Sequence, residues 1–195
     1  MRMDSKPVPS VLVVCTGNRC RSVMAQAMLT RKLGAAVQVD SAGLLELGLP
    51  PPPETVAAMA ARGLDVARHR SRVITAGELR SADLVLAMAR EHVRHAVVTE
   101  PSAWPRTFTL KELVRRGGQI GPRNPGEPLA GWLARVHAGR EHSALLGDSP
   151  EDDVADPVGG PPQAHVLTAA ELDRLLSQLA GLCWERLTSG VSRRP

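Results

Sequence analysis

The chain has 195 residues, 43% of them hydrophobic and 23% charged, which suits one globular domain with enough sequence to bury a core. Twenty-four basic against 20 acidic residues leave a net charge of +4, and aromatics at 2% offer few stacking platforms, so nucleic acid is not an expected partner. No stretch approaches the ~20 apolar residues of a membrane span, the N-terminus lacks the apolar core of a signal peptide, and the three cysteines have no zinc spacing, so a cytoplasmic protein without metal or cofactor is expected.

Residues 1–9 carry two prolines and no periodicity, and read as a flexible arm before a single domain over 10–190. Strand candidates at 11–14, 37–40, 83–88 and 106–108 alternate with helical patterns at 22–33, 54–62, 75–80, 91–98 and 109–116. That alternation predicts an α/β domain with a mostly parallel sheet. Three Thr-x-x-Glu pairs, Thr75/Glu78, Thr109/Glu112 and Thr168/Glu171, predict helix starts, because each side chain can satisfy an orphan N–H of the first turn. From 117 to 150 the pattern loosens into an insert, with a helical run over 129–137 between two flexible Gly-Pro-rich hinges. The last helix sets Leu172, Leu175, Leu176, Leu179, Leu182 and Cys183 on one apolar face, which makes Cys183 a core residue.

The segment Cys15-Thr16-Gly17-Asn18-Arg19-Cys20-Arg21-Ser22 lies between the first strand and the first helix. Such a turn aims loop N–H groups and a helix N-terminus at one point, which suits an anion and favours the thiolate form of Cys15. Gly17 and Asn18 are types that tolerate left-handed backbone angles, as a loop with converging N–H groups requires. Arg21 offers a planar fork for two phosphoryl oxygens. Ser22 can cap the helix and donate its hydroxyl to the sulfur. An acid must protonate the leaving oxygen, and Asp156 is the best candidate, since Pro157 biases it to extended backbone and the following Gly159-Gly160-Pro161-Pro162 blocks regular structure. Asp148, Asp152 and Asp153 stand as alternative carboxylates.

With Val14 through Ser22, Asp40-Ser41-Ala42-Gly43, residues 69–72, Asp83 through Met88, and Asp156-Pro157 in order, the sequence resembles the low-molecular-weight protein tyrosine phosphatases, which also include thioredoxin-coupled arsenate reductases. The resemblance spans about 11–100 and 150–187. It implies a four-stranded parallel sheet flanked by helices and a phosphomonoester hydrolase working through a phosphocysteine on Cys15. Arg21 would bind the phosphoryl group with the loop residues Thr16, Gly17, Asn18, Arg19, Cys20 and Ser22, and Asp156 would act as general acid and then base. Ser41 looks like the family serine that pins Asn18, His69 like a histidine of the same supporting network, and Cys20 like the second loop cysteine that traps oxidised Cys15. Expected substrates are a phosphorylated protein or a small phosphomonoester.

The chain departs from that pattern after Asp156-Pro157. Many tyrosine-directed members carry aromatic wall residues there, whereas this chain has Val158, Gly159 and Gly160 and no tyrosine at all. Trp132 either folds over the cleft as a replacement wall or anchors the insert to the body. Arg19, where members often have an aliphatic residue or threonine, either meets an acidic group beside the phosphate or is solvated. Arsenate reduction by the same loop is an alternative that needs relay thiols, and the only cysteine outside the loop is Cys183. A non-catalytic phosphate-binding module is another, disfavoured because nucleophile, arginine and acid are all present.

Overall fold

A computed structural model of the chain describes residues 8–45 and 48–184. Most of the expected N-terminal arm and residues 185–190 of the expected domain lie outside the described residues.

Strand β1 (Ser10–Cys15) is valine-rich and buried from Val11 onward, as a central parallel strand must be. It pairs in parallel with β2 (Gln38–Gly43) on one side and β3 (Leu84–Ala87) on the other, and β3 pairs with β4 (Thr107–Thr109), giving the order β2-β1-β3-β4. The direction of travel across the sheet reverses at β1, and ligands in such sheets bind beyond the carboxyl end of the strand at that switch. Cys15 closes β1 there.

Successive side chains of β1 feed opposite faces. Val11, Val13 and Cys15 join the larger core, with Met24 and Leu29 of α1 (Arg21–Leu33), Leu113 of α5 (Leu110–Ile120), Trp132 of α6 (Leu129–His137) and Leu176 of α7 (Pro162–Cys183). Leu12 and Val14 join the smaller one, with Leu79 of α3 (Ala76–Ser81) and Ala96 of α4 (Arg90–Thr99). The short α2 (Pro53–Ala60) packs against α7. Val13 and Val14 of β1 and all four residues of β3 are fully buried, which at about 2 kcal/mol for each valine or leucine anchors the two central strands.

The Thr75/Glu78 capping box is complete, with the Thr75 hydroxyl accepting from Glu78 N and the Glu78 carboxylate accepting from Thr75 N. At Thr109/Glu112 only the threonine half forms, because both Glu112 oxygens are taken by Arg140 at 2.7 and 2.9 Å. Thr168/Glu171 is no helix start: α7 begins at Pro162, where the proline's missing N–H costs nothing, and Glu171 pairs with Lys111.

The insert begins later than expected, since α5 runs through Gly117 to Ile120. A Cβ on Gly117 would sit 2.9 Å from the Trp132 ring, so this helical glycine makes room for the indole. Trp132 is fully buried and its Nε1 donates to Gly121 O at 2.9 Å, which makes it the anchor of the insert and not a wall of any cleft. The segments that flank α6 are tied to the body by arginines. Arg135 forks onto Glu127 and Arg123 Nε donates to Cys183 O, while the Arg140 guanidinium lies 3.9 and 4.0 Å from the ring centres of Trp104 and Phe108.

From the end of the insert onward, more arginines clasp the chain to α4 and α5. Arg94 donates to the carbonyls of Leu145 and Gly147, and Arg90 and Arg115 converge on the buried carboxylate of Asp152 at 2.8 and 2.6 Å. Burial alone would raise the Asp152 pKa, but the two guanidinium groups hold it below the ordinary value. Val154 N then donates to Met88 O at the end of β3, delivering the next residues to the loop after β1.

Candidate active site

The turn from β1 to α1 is held open from outside. Asn18 is the one non-glycine residue with positive φ, at 48°, among the described residues, and four groups fix it there. Its Nδ2 donates to Ser22 Oγ and to Ser41 Oγ, both at 2.9 Å, and its Oδ1 accepts from Arg72 N at 3.1 Å. His69 Nε2 lies 2.8 Å from Asn18 O and 3.2 Å from Oδ1, so that nitrogen carries the proton. Burial, set against its bond to Asn18 and joined by Arg72 and Arg70, pushes His69 below its ordinary pKa. Gly17 adopts no left-handed angle; the glycine the loop needs for space is Gly43, where a Cβ would fall 2.8 Å from Thr16 O and 2.9 Å from Asn18.

Within this frame, Ser22 is the second residue of α1 and does not cap it. Its hydroxyl accepts from Asn18, which leaves its own proton for Cys15 Sγ at 3.0 Å. Cys15 is 2% exposed and lines a cleft of about 160 Å³ together with Thr16, Gly17, Arg19, Cys20, Arg21, Leu45, Asp156 and Val158. With Cys20 as its flanking residue and no side chain capping it, α1 presents its first turn to the same space. None of the loop N–H groups from Thr16 to Cys20 is bonded to an acceptor among the described residues.

Arg21 is 4% exposed and reaches across the cleft. Its Nη1 donates to Val154 O and its Nη2 to Thr16 Oγ1, both at 3.2 Å, and Nη2 also meets Asp156 Oδ2 at 2.5 Å. Its Nε is buried and has no partner. A buried guanidinium donor left over beside unengaged loop amides is the donor inventory that an anion would satisfy.

Of the candidate acids, only Asp156 lines the cleft. Asp152 is consumed by Arg90 and Arg115, and Asp153 accepts from the backbone of Arg90 and Ser149. Pro157 is buried, so it fixes the bend that leaves Asp156 exposed. Cys20 is buried beside the cleft, and burial, against a hydrogen bond from Thr55, pushes its thiol up to about 11. Arg19 lines the rim with its Nε on Pro50 O at 2.8 Å. No sequence motif marks Leu45, an aliphatic wall residue, or Glu91 and His92, which contact Thr16 from α4. The signal for the last two was topological: residues just past the ends of β1 and β3, neighbouring strands, face one crevice.

A cysteine at the head of an anion-binding β-α turn, on a four-stranded parallel sheet with a carboxylate opposite, defines the cysteine phosphatases of low molecular weight. The sequence profile of low molecular weight phosphotyrosine protein phosphatases matches residues 10–121. This chain belongs to that family. A probable low molecular weight protein-tyrosine-phosphatase, EpsP of Ralstonia solanacearum, is 40% identical over 107 residues, 54% of this chain and 73% of that protein. A protein-arginine-phosphatase of Geobacillus stearothermophilus is 30% identical over 171 residues, 87% of this chain and 93% of the relative. The crystal structure of the low molecular weight protein tyrosine phosphatase from T. tengcongensis superposes with a TM-score of 0.66 at 32% identity, covering 89% of this chain and 98% of that one.

Proposed function

We propose that this chain hydrolyses phosphorylated protein side chains through a phosphocysteine on Cys15. The observation that carries the reading is the buried, unpartnered Nε of Arg21, a residue that lines the same cleft as Cys15. An incoming phosphoryl group supplies the acceptors that Arg21 and the loop amides lack. It also displaces the Asp156 carboxylate from Arg21, freeing that residue to meet the ester oxygen.

Off Arg21, the Asp156 carboxylate takes up a proton from solvent; the Cys15 thiolate then attacks phosphorus and the P–O ester bond breaks as the leaving oxygen takes that proton. In the second step Asp156, now a carboxylate, removes a proton from the attacking water. The S–P bond breaks and the sulfur recovers the hydroxyl of Ser22 as its hydrogen-bond donor. The site is smaller than the ~300 Å³ floor for drug-sized pockets, so its depth suits a phosphoryl group presented by a larger molecule.

The wall is aliphatic, from Leu45 and Val158, and offers no ring for stacking. Arg19 in the lining has no carboxylate partner among the described residues, and its charge opposes a substrate guanidinium. We therefore favour phosphoester side chains over phosphoarginine. Arsenate reduction is disfavoured because Cys183, the cysteine outside the loop, is 3% exposed in the core and burial raises its pKa.

The test is turnover of an aryl phosphate together with mass analysis of the acid-quenched protein. A phosphoryl adduct on the Cys15 peptide and no turnover in Cys15→Ser are expected; turnover surviving in that variant overturns the reading.

A further inference from the structure

One buried titratable group beside the loop has no part in the steps above. His92, in the first turn of α4, is 0% exposed, and its Nε2 lies 3.0 Å from Thr16 Oγ1 and 3.1 Å from Glu91 Oε1. Its Nδ1 is buried without a partner. Thr16 Oγ1 is a hub: it also accepts from Arg21 Nη2 at 3.2 Å and lies 3.1 Å from Glu91 Oε1.

Counting donors assigns the protons. A hydroxyl has one proton and two lone pairs, and a carboxylate only accepts. The Thr16 proton therefore goes to Glu91, one lone pair takes Arg21, and the other is left for a donor. His92 supplies it if Nε2 carries the proton. The opposite tautomer would set two lone pairs against each other between Nε2 and Glu91, and would bury an unpartnered N–H at Nδ1. Burial first, then Arg21, His95 and Arg94, push His92 down to about 3, so the ring stays neutral.

We propose that His92 is a positioning residue for phosphoryl transfer: as the neutral Nε2–H tautomer it saturates Thr16 Oγ1 and thereby fixes the hydroxyl that steers Arg21. Its importance grows when substrate binds. Asp156 then leaves Arg21, and Thr16 Oγ1 and Val154 O are the contacts that keep the guanidinium plane aimed at the phosphoryl oxygens. Without His92 the Thr16 hydroxyl has a free lone pair and is held only by Arg21 itself and by the half-exposed carboxylate of Glu91. The inference rests on Arg21 binding the phosphoryl group, and α4 thereby becomes part of the machinery of a loop that begins 75 residues earlier in the sequence.

Two measurements test it. Nitrogen-15 histidine spectra of the full chain should show His92 protonated at Nε2 and bare at Nδ1; the reverse overturns the assignment whatever the activity. In kinetics, His92→Leu should lower kcat/KM on an aryl phosphate by about 10- to 100-fold, as small misplacements of catalytic groups do, and weaken competitive inhibition by inorganic phosphate in parallel. His92→Gln, whose terminal amide N–H can reach the place of Nε2–H, should recover most of the loss. In a Thr16→Val background, His92→Leu should cost nothing further, because its effect runs through the missing hydroxyl. Additive losses overturn the proposal, as does a His92→Leu protein that is less stable but unaltered in kcat/KM per folded molecule. A parent protein inactive on every phosphate ester would count against the phosphatase reading instead, and the tautomer measurement stands apart from it.

Discussion

Replacing Asp156 by asparagine should separate two things that its carboxylate does. In the free protein Asp156 occupies part of the anion site, with Oδ2 2.5 Å from Arg21 Nη2, and the two side chains are 41% and 5% exposed. A fully exposed pair is worth about 0–1 kcal/mol, and breaking a buried one costs about 3–5. With one partner largely solvated the lower range applies, so about 1 kcal/mol opposes entry of any competing anion. Asp156→Asn removes that charge and keeps the shape, which should tighten inorganic phosphate about fivefold, since 1.4 kcal/mol is about a factor of ten. Turnover should move the other way and fall by about 100- to 10,000-fold with the loss of the general acid. Because an acid matters most for poor leaving groups, the fall should be larger on phenyl phosphate than on p-nitrophenyl phosphate. Steady-state rates on the two esters, with phosphate as competitive inhibitor and calorimetry for its direct binding, read all three effects. Weaker phosphate binding in the variant, or an equal loss on both esters, would refute the argument that the acid and the anion compete for one guanidinium.

Gly43→Ala should cost about 1–3 kcal/mol in denaturant unfolding, because its methyl group meets Thr16 O and Asn18, and should lower kcat as the loop shifts; a neutral substitution would show that the close approach is not real. Trp132→Ala should destabilise by about 3–5 kcal/mol, yet leave the ratio of kcat/KM values for aryl and alkyl phosphates unchanged, since the ring lies in the core and not in the cleft. His92 titrates at 6.5 in an unfolded chain and near 3 in the folded one, so the unfolded state binds the extra proton between those values and stability falls as pH drops below 6.5. About 2 kcal/mol should be gone by about pH 5, measured by urea midpoints, and the slope should be shallower in His92→Gln; equal slopes would refute it.

Much of this architecture can be read from local pattern. The valines of β1, the 3.6-residue periodicity of α1 and the contiguous loop motif encode the strand, helix and cysteine cradle within two dozen residues, so no long-range knowledge is needed to find them. Thr168/Glu171 shows where local pattern misleads: the same four residues that would cap a helix serve in mid-helix once Pro162 has started it and Lys111 takes the glutamate. Ser22 is a related case, because its position suits a cap while its proton goes to sulfur. Gly43, Leu45 and His92 are legible only after the strands are ordered, since each acts across a gap between separate β-α units. Gly117 reads as a breaker until the indole of Trp132 is seen to occupy its missing side chain.

The arginine clasps on the far side of the insert have a further consequence. Arg90, Arg94 and Arg115 grip the chain between Leu145 and Asp152, and Met88 holds Val154, all from elements that precede α6. The reach of the carboxylate toward the guanidinium is thus set within a dozen residues of itself, and owes nothing to the length of polypeptide spooled out upstream. Evolution can lengthen or shorten the connections of that stretch, so long as Trp132 keeps its place in the core, while the chemistry downstream keeps its register.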